Sequence, residues 1–446
     1  MKKFYDGDIA KSPRIQKLYD HLFEKMPEVE ADRAVILTRV YKETEGEPII
    51  TRRAKAFKAI CEELPITIRP YERIVGSNAK SPRSCQVFPE YSFDWVEAEF
   101  DTMETRSADP FHISEEAKKA LHEAYKYWGG KTTSELASSY MEEETLLAMK
   151  HNIFTPGNYF YNGIGHFTVK YWEVLEIGYE GIIAKAKAEL DKLDMGDADF
   201  GKRSAFLRAS IMSCQAAIDY AKRYALLALE EAQKESDPAR KMELLKIAEN
   251  CAKVPAKPAE SFYEACQSFW FVQMLLQTES SGHSISPGRF DQYMYPYYKA
   301  DMEAGKITRE EAQELIDCIW IKLNDLNKIR DAASAEGFAG YSLFQNLIVG
   351  GRTLRTDKKV AKYQNSPESE IYSKSRELYG LFFAKKAIQQ EDMVIMVEGY
   401  ADVISMHQAG VENVVASSGT SLTEEQIRLV ARFSKNITLM YDGDKA

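Results

Sequence analysis

No stretch of about 18 consecutive apolar residues occurs in the chain of 446, so no membrane-spanning helix is expected. The opening residues MKKFYDGDIAKSPR carry two lysines with no apolar segment behind them, and no secretory leader is read there. A cytoplasmic protein with no membrane partner is the expectation. Cysteine is scarce: Cys61, Cys85, Cys214, Cys251, Cys266 and Cys318 lie far apart, with no CxxC spacing and no adjacent histidine, which argues against structural zinc. Without a leader these thiols are expected to be reduced and mostly packed as small apolar groups. A positive balance is missing too. At a formal net charge of -10 the chain is not one that coats nucleic acid or an anionic membrane over its whole surface, although a local basic patch is compatible with that charge. Nor is there a tandem period of the kind that marks solenoids.

What is present is a hydrophobic content of 45% over a length sufficient for a large core and more than one domain. Ile15, Leu18, Leu22 and Phe23 form one stripe at helical spacing, and Ala54, Phe57, Ile60 and Cys61 form another. ERIVGSN at 72 to 78 predicts a short strand or a buried turn. SEEAKKALHEAYKYW, from Ser114, predicts a capped amphipathic helix stopped by Gly129-Gly130. Residues 170 to 330 are mostly helical in pattern, and LFQNLIVGG, 343 to 351, predicts a short buried strand ending at glycines.

From Ser375 the texture changes. Helix SRELYGLFFAKKAI, strand MVIMVEG, helix ADVISMHQAG, strand VENVVASSG, helix TEEQIRLVARFS and strand KNITLMYDGD alternate strictly, which predicts a doubly wound parallel sheet with ligands bound beyond the carboxyl ends of its strands. Glu398 follows one such strand directly, and Asp442 and Asp444 follow another. Single acidic residues in loops are ordinarily just solvated. Three carboxylates at two strand ends can instead converge on a hard cation such as Mg2+.

KYQNSPESEIYSKSRELYGLFFAKKAI, VEGYADVISMHQAG, ASSGTSLTEEQIRLV and YDGDKA closely resemble the Toprim catalytic core of bacterial DNA primases and the segment before it, over about 350 to 446. The resemblance implies that Glu398, Asp402, Asp442 and Asp444 are metal-binding acids, with Glu398 also catalytic. It implies that Lys362 and Lys374 lie near nucleotide and template, and that the chemistry is Mg2+-assisted RNA primer synthesis on DNA. The zinc module and basic subdomain that precede this core in a complete primase are not readable here. The family's next acidic loop would follow Ala446, so an intact primase site is not expected.

Two polar turns stand out earlier: FTPGNYFYNGIGHF, 154 to 167, and ESSGHSISPGRFDQYMYPYY, 279 to 298. Small residues beside several hydrogen-bonding side chains suit a pocket for a polyol or hydroxylated acid, although a lone histidine is more often structural than catalytic. With EGEPIITRRAKAF, ELPITIRPYERIVGS, NGIGHFTVKYWEVLEIGYEGI and KPAESFYEACQSFWF, these turns resemble the glycyl radical enzymes of the pyruvate formate-lyase superfamily over about 10 to 350. The dehydratase branch, which includes glycerol and trans-4-hydroxyproline dehydratases, is the most similar. The resemblance implies an α/β fold: a mostly helical N-terminal half of a glycyl-radical-type (β/α) barrel over 1–350, followed by a parallel α/β Toprim-like domain over 351–446. It also implies that His166, His283 and Ser284 face the hydroxyl groups of a small substrate.

That family also needs a cysteine followed two positions on by glutamate in a mid-barrel loop, and a C-terminal glycine loop that an activating enzyme converts to the radical. Cys61-Glu62-Glu63 has the bare spacing but sits in a helical run. With no glycine loop, no glycyl radical and no activating partner are expected. The joined chain is expected to be an inactive fusion of a dehydratase fragment and a primase fragment, with low solubility from uncovered strand edges. Primer synthesis on a nucleic-acid partner is the alternative.

Overall fold

The computed structural model describes residues 12–151, 153, 162–163, 165–338, 343, 345–349, 377–417 and 422–441. The chain divides into two compact units, Met1–Gly351 and Arg352–Ala446. The architecture is mixed α/β and rich in helix.

The first unit opens with α1 (Pro13–Leu22), β1 (Val29–Glu30), α2 (Asp32–Glu43), α3 (Ile49–Glu63), β2 (Cys85–Gln86) and α4 (Glu115–Trp128). In α1, Ile15, Leu18 and Leu22 are buried as the stripe predicts, but Phe23 caps the helix and is 51% exposed under the Arg83 guanidinium. Ser114 caps α4 by accepting the Ala117 N–H at 3.1 Å, and Gly129 ends the helix. Residues 72–78 form no strand. They are a buried turn, held where Gln267 meets both the N–H and the carbonyl of Val75 and where the Trp270 indole donates to Gly76 O.

β3 (Phe167–Thr168) leads into α5 (Tyr171–Leu190), α6 (Phe200–Lys234), α7 (Pro238–Lys253) and α8 (Phe262–Glu279). The unbroken pattern of α5 is interrupted at Gly178, whose φ of 64° belongs to the left-handed region. A Cβ there would collide with the Ala256 carbonyl, so the close approach of this backbone to the loop before α8 depends on glycine. α8 is buried on nearly every side, with Cys266, Phe269, Trp270, Phe271 and Met274 among its core residues. A helix apolar all round belongs at the centre of a domain. β4 (Ile285–Ser286), α9 (Phe290–Glu303) and α10 (Arg309–Asp325) complete the unit, with short helices at Asp94–Ala98, Thr133–Ser139, Glu143–Lys150 and Ala332–Phe338.

Its strand pairs are short and parallel: β1 with β2, β3 with β4, and a bridge from Gly288 to Leu347. Of the buried strand expected at 343–351, positions 344, 350 and 351 lie outside the described residues, and the others bear it out only in part. Leu343 is buried and Leu347 is paired, but Ile348 is 50% and Val349 67% exposed.

In the second unit the alternation holds: α11 (Leu381–Glu391), β5 (Val394–Val397), α12 (Tyr400–Gln408), β6 (Val414–Ala416), α13 (Glu424–Val430) and β7 (Ile437–Met440). The described strands are parallel in the order β6-β5-β7, so the apolar run VIMV is their central strand. α11 starts later than its sequence pattern, because Gly380 takes a left-handed φ of 82° and Tyr379 pairs with Ala416 instead.

Candidate functional site

The end of α8 sets the geometry. Gln273 donates to Ile285 O at 3.0 Å and to Gln345 Oε1 at 2.8 Å, and it accepts the Tyr171 hydroxyl, tying the helix to β4 and to residue 345. The turn Ser280–Ser284 then delivers His283. Its carbonyl accepts the His166 N–H at 3.0 Å, Ser284 O accepts the Phe167 N–H at 3.2 Å, and Ser284 N donates to Leu343 O at 2.8 Å. Three segments distant in sequence are thereby stitched side by side.

At this stitch His166, Ser284 and Leu343 all have left-handed φ angles, of 58°, 67° and 55°. Such conformations are costly for residues with a Cβ and persist only where neighbours over-determine them. Gly165 is needed for the approach, because a Cβ there would strike the His283 carbonyl. The result brings His166 Nε2 to 3.2 Å from His283 Nε2, with ring centroids 4.8 Å apart. His283 and Ser284 are buried, whereas His166 is exposed. Burial, reinforced by Arg330, His166 and Lys328, pushes the His283 imidazole down to about 4. Neutral imidazole is thus the form at neutral pH, offering one donor and one acceptor.

Behind the turn lies a buried charge network. Arg33 grips the Glu90 carboxylate through both terminal nitrogens, at 2.7 and 3.0 Å, and donates to Thr278 O at 2.8 Å. Arg53 pairs with Glu279 and reaches the Tyr91 hydroxyl at 3.2 Å. Burial alone would raise the Glu90 carboxyl, but Arg33 and then Arg53 hold it below its ordinary range. For Glu279 burial prevails over Arg53, and the carboxyl is raised.

Cys61 does not fit the radical-transfer cysteine. It is fully buried within α3, and burial followed by Glu279 pushes its thiol well up, away from the reactive thiolate. All six cysteines are free, five of them buried and Cys214 half-buried.

In the second unit Glu398 follows β5 directly and is exposed at the carboxyl end of the central strand. Asp402 sits in the first turn of α12, where its Oδ2 accepts the Gly399 N–H at 2.9 Å. One of its oxygens is therefore committed to capping the helix. Asp442, Asp444, Lys362 and Lys374 lie outside the described residues. No helix among the described residues is long and apolar enough to cross a membrane.

Lys328, Arg330 and Gly165 were not singled out from the sequence. Lys328 and Arg330 lie in LNDLNKIRD beyond the end of α10 at Asp325, where Leu326, Lys328, Ile329 and Arg330 are all buried, and no local sequence pattern marks that burial.

Comparison with known proteins gives the family of the chain. The pyruvate formate lyase-like family model matches residues 8–364, and the chain belongs to that family. The DNA primase catalytic core N-terminal domain model matches 344–385, and a Toprim-like model matches 395–446. A solved structure concerned with 1,2-propanediol dehydration in Roseburia inulinivorans is 64% identical, with a TM-score of 0.76, covering 77% of this chain and 43% of that one. The glycerol-bound B12-independent glycerol dehydratase from Clostridium butyricum is 54% identical, with a TM-score of 0.74, covering 76% and 43%. The (2S)-3-sulfopropanediol dehydratase of Klebsiella oxytoca is 34% identical over 346 residues, which is 75% of this chain and 42% of that protein. The chain thus spans less than half the length of these relatives.

Proposed function

We propose that residues 1–350 are the first half of a glycyl-radical-type barrel of the dehydratase branch. In this half His166, His283 and Ser284 form the substrate-facing wall, for a small polyol such as glycerol or 1,2-propanediol. The observation that carries this is the His166–His283 contact at 3.2 Å, assembled by the β3–β4 pairing. Two adjacent imidazoles, one of them kept neutral, can accept from one hydroxyl and donate to its neighbour. The similarity to glycerol and 1,2-propanediol dehydratases supports the substrate class.

Radical elimination of water would require a thiyl cysteine and a glycyl radical, and Cys61 does not fit the first role. The proposed activity of these 446 residues is therefore polyol binding without turnover. It is tested by adding glycerol or 1,2-propanediol to the chain while observing histidine ring resonances. Saturable shifts confined to His166 and His283, lost in Ser284→Ala, support the proposal, and unaffected histidine rings refute it.

For residues 351–446 the position of Glu398 beyond the central parallel strand favours a second reading, Mg2+ binding in a Toprim-like segment acting on nucleic acid. Glu398 would supply an oxygen ligand, and Asp402 its second oxygen. Bound Mg2+ would stabilise charge at a transferring phosphorus. Mg2+-dependent oligoribonucleotide synthesis abolished by Asp442→Ala would establish primase activity. Calorimetric Mg2+ binding lost in Glu398→Gln would establish the metal site alone.

A further inference from the structure

Lys328 is 2% exposed, yet no carboxylate lies within ion-pair distance of it among the described residues. Its ammonium nitrogen donates to two backbone carbonyls, Ser280 O and Gly282 O, the latter at 2.9 Å, and lies 5.8 Å from the centre of the Phe88 ring. The Arg33 guanidinium covers the same ring at 3.7 Å. Burial, with Arg330 and Arg33 nearby, lowers the Lys328 value well below that of a free lysine. A long amine in so unfavourable a place needs an account, since desolvating it is costly unless its hydrogen bonds accomplish something.

Both acceptors belong to the turn Ser280–Ser284. Bridging residues 280 and 282 restrains the backbone immediately before His283. The next peptide along carries the His283 carbonyl that accepts the His166 N–H. We infer that Lys328 is a positioning residue: by holding the Ser280 and Gly282 carbonyls it fixes the turn that sets His283 Nε2 against His166 Nε2. It acts through the backbone, not by touching a ligand. Its second effect is electrostatic. The groups facing His283 are His166 from the segment before β3, and Lys328 and Arg330 from the segment after α10, all cationic when protonated. An imidazolium at 283 is therefore resisted from two sides, and the pair is kept in the state where one ring donates to the other. Only the consequence for substrate rests on the polyol reading given above.

The test uses the full chain labelled with 15N-histidine, whose seven histidines give a tractable ring spectrum. In the parent protein the His283 midpoint should lie near 4. Lys328→Met keeps the aliphatic stem and removes the donors, and it should raise that midpoint as the turn loosens and the cation is lost. Lys328→Arg should restore most of the depression. A merely structural lysine would change melting temperature without this rescue by the arginine. A folded Lys328→Met with an unchanged His283 midpoint would overturn the inference. Should that variant not fold, Lys328→Gln, which keeps an amide donor for the turn and removes the charge, decides: a raised His283 midpoint agrees with the inference, and an unchanged one contradicts it. Adding glycerol in the same samples separates the two proposals. Absent glycerol shifts with an intact lysine effect would remove the polyol reading alone.

Discussion

At the scale of single residues, the decisive feature is that charged side chains are buried around one short turn. Arg33 is 1% exposed and Glu90 6%, so each depends on the other. Arg33→Met should cost about 3 to 5 kcal/mol in urea unfolding, because it strands a buried carboxylate, while the double replacement Arg33→Met with Glu90→Leu should recover much of the loss. Carboxylates and a histidine both weaken the fold on the acid side. Glu90 and Asp325 are held below the ordinary carboxylate range against the effect of burial, by Arg33 and Arg69 respectively. Their stabilisation is present above an unfolded value of about 4.3 and 3.9 respectively and is lost as pH falls through their folded values. His283 starts earlier. Its folded value near 4 lies below that of an unfolded histidine, about 6.5, so the unfolded chain binds more protons and stability falls as pH drops from about 6.5 towards 4. Unfolding measured across that window should show a shallower slope in His283→Gln.

At the scale of elements, helices were legible wherever their own residues determine their limits. Ser114 and Gly129 bracket α4 in the sequence as in the structure, and Ser114→Ala should lower stability by about 1 kcal/mol by removing the cap on Ala117 N–H. Gly178→Ala should cost more than an ordinary helical substitution, since it meets both a left-handed φ and the Ala256 carbonyl, and a melting curve would register it. The parallel sheet of the second unit was legible as well, because alternation of apolar strands and amphipathic helices admits few topologies. The two-residue strands β1 to β4 were not. Their pairing partners lie from 56 to 118 positions away, as in Val29 with Cys85 and Phe167 with Ile285, and nothing local marks a strand so short. His283 and Ser284 were legible as unusual polar residues in a glycine-containing turn. Lys328 was hidden, because its importance arises from two carbonyls 46 and 48 positions earlier.

At the scale of the whole molecule, one chain carries two families. Their matches overlap from 344 to 364, and that window contains LIVGGRTLRTDKK. The division into compact units falls at Gly351. We expect residues 1–351 produced alone to retain the His283 signature and its pH dependence, as seen in the histidine ring spectrum. On the half-barrel reading proposed above, apolar groups are left uncovered, and size-exclusion chromatography should show self-association, which monodisperse behaviour would contradict. The proposed polyol-binding wall rests on the assembled contact of His166 and His283 beside Ser284. The most direct measurement is glycerol titration of the full chain followed at the His166 and His283 ring nitrogens. Concerted, saturable shifts of those two rings, absent in Ser284→Ala, are the predicted result. Glycerol leaving both rings unmoved at saturating concentration would contradict it.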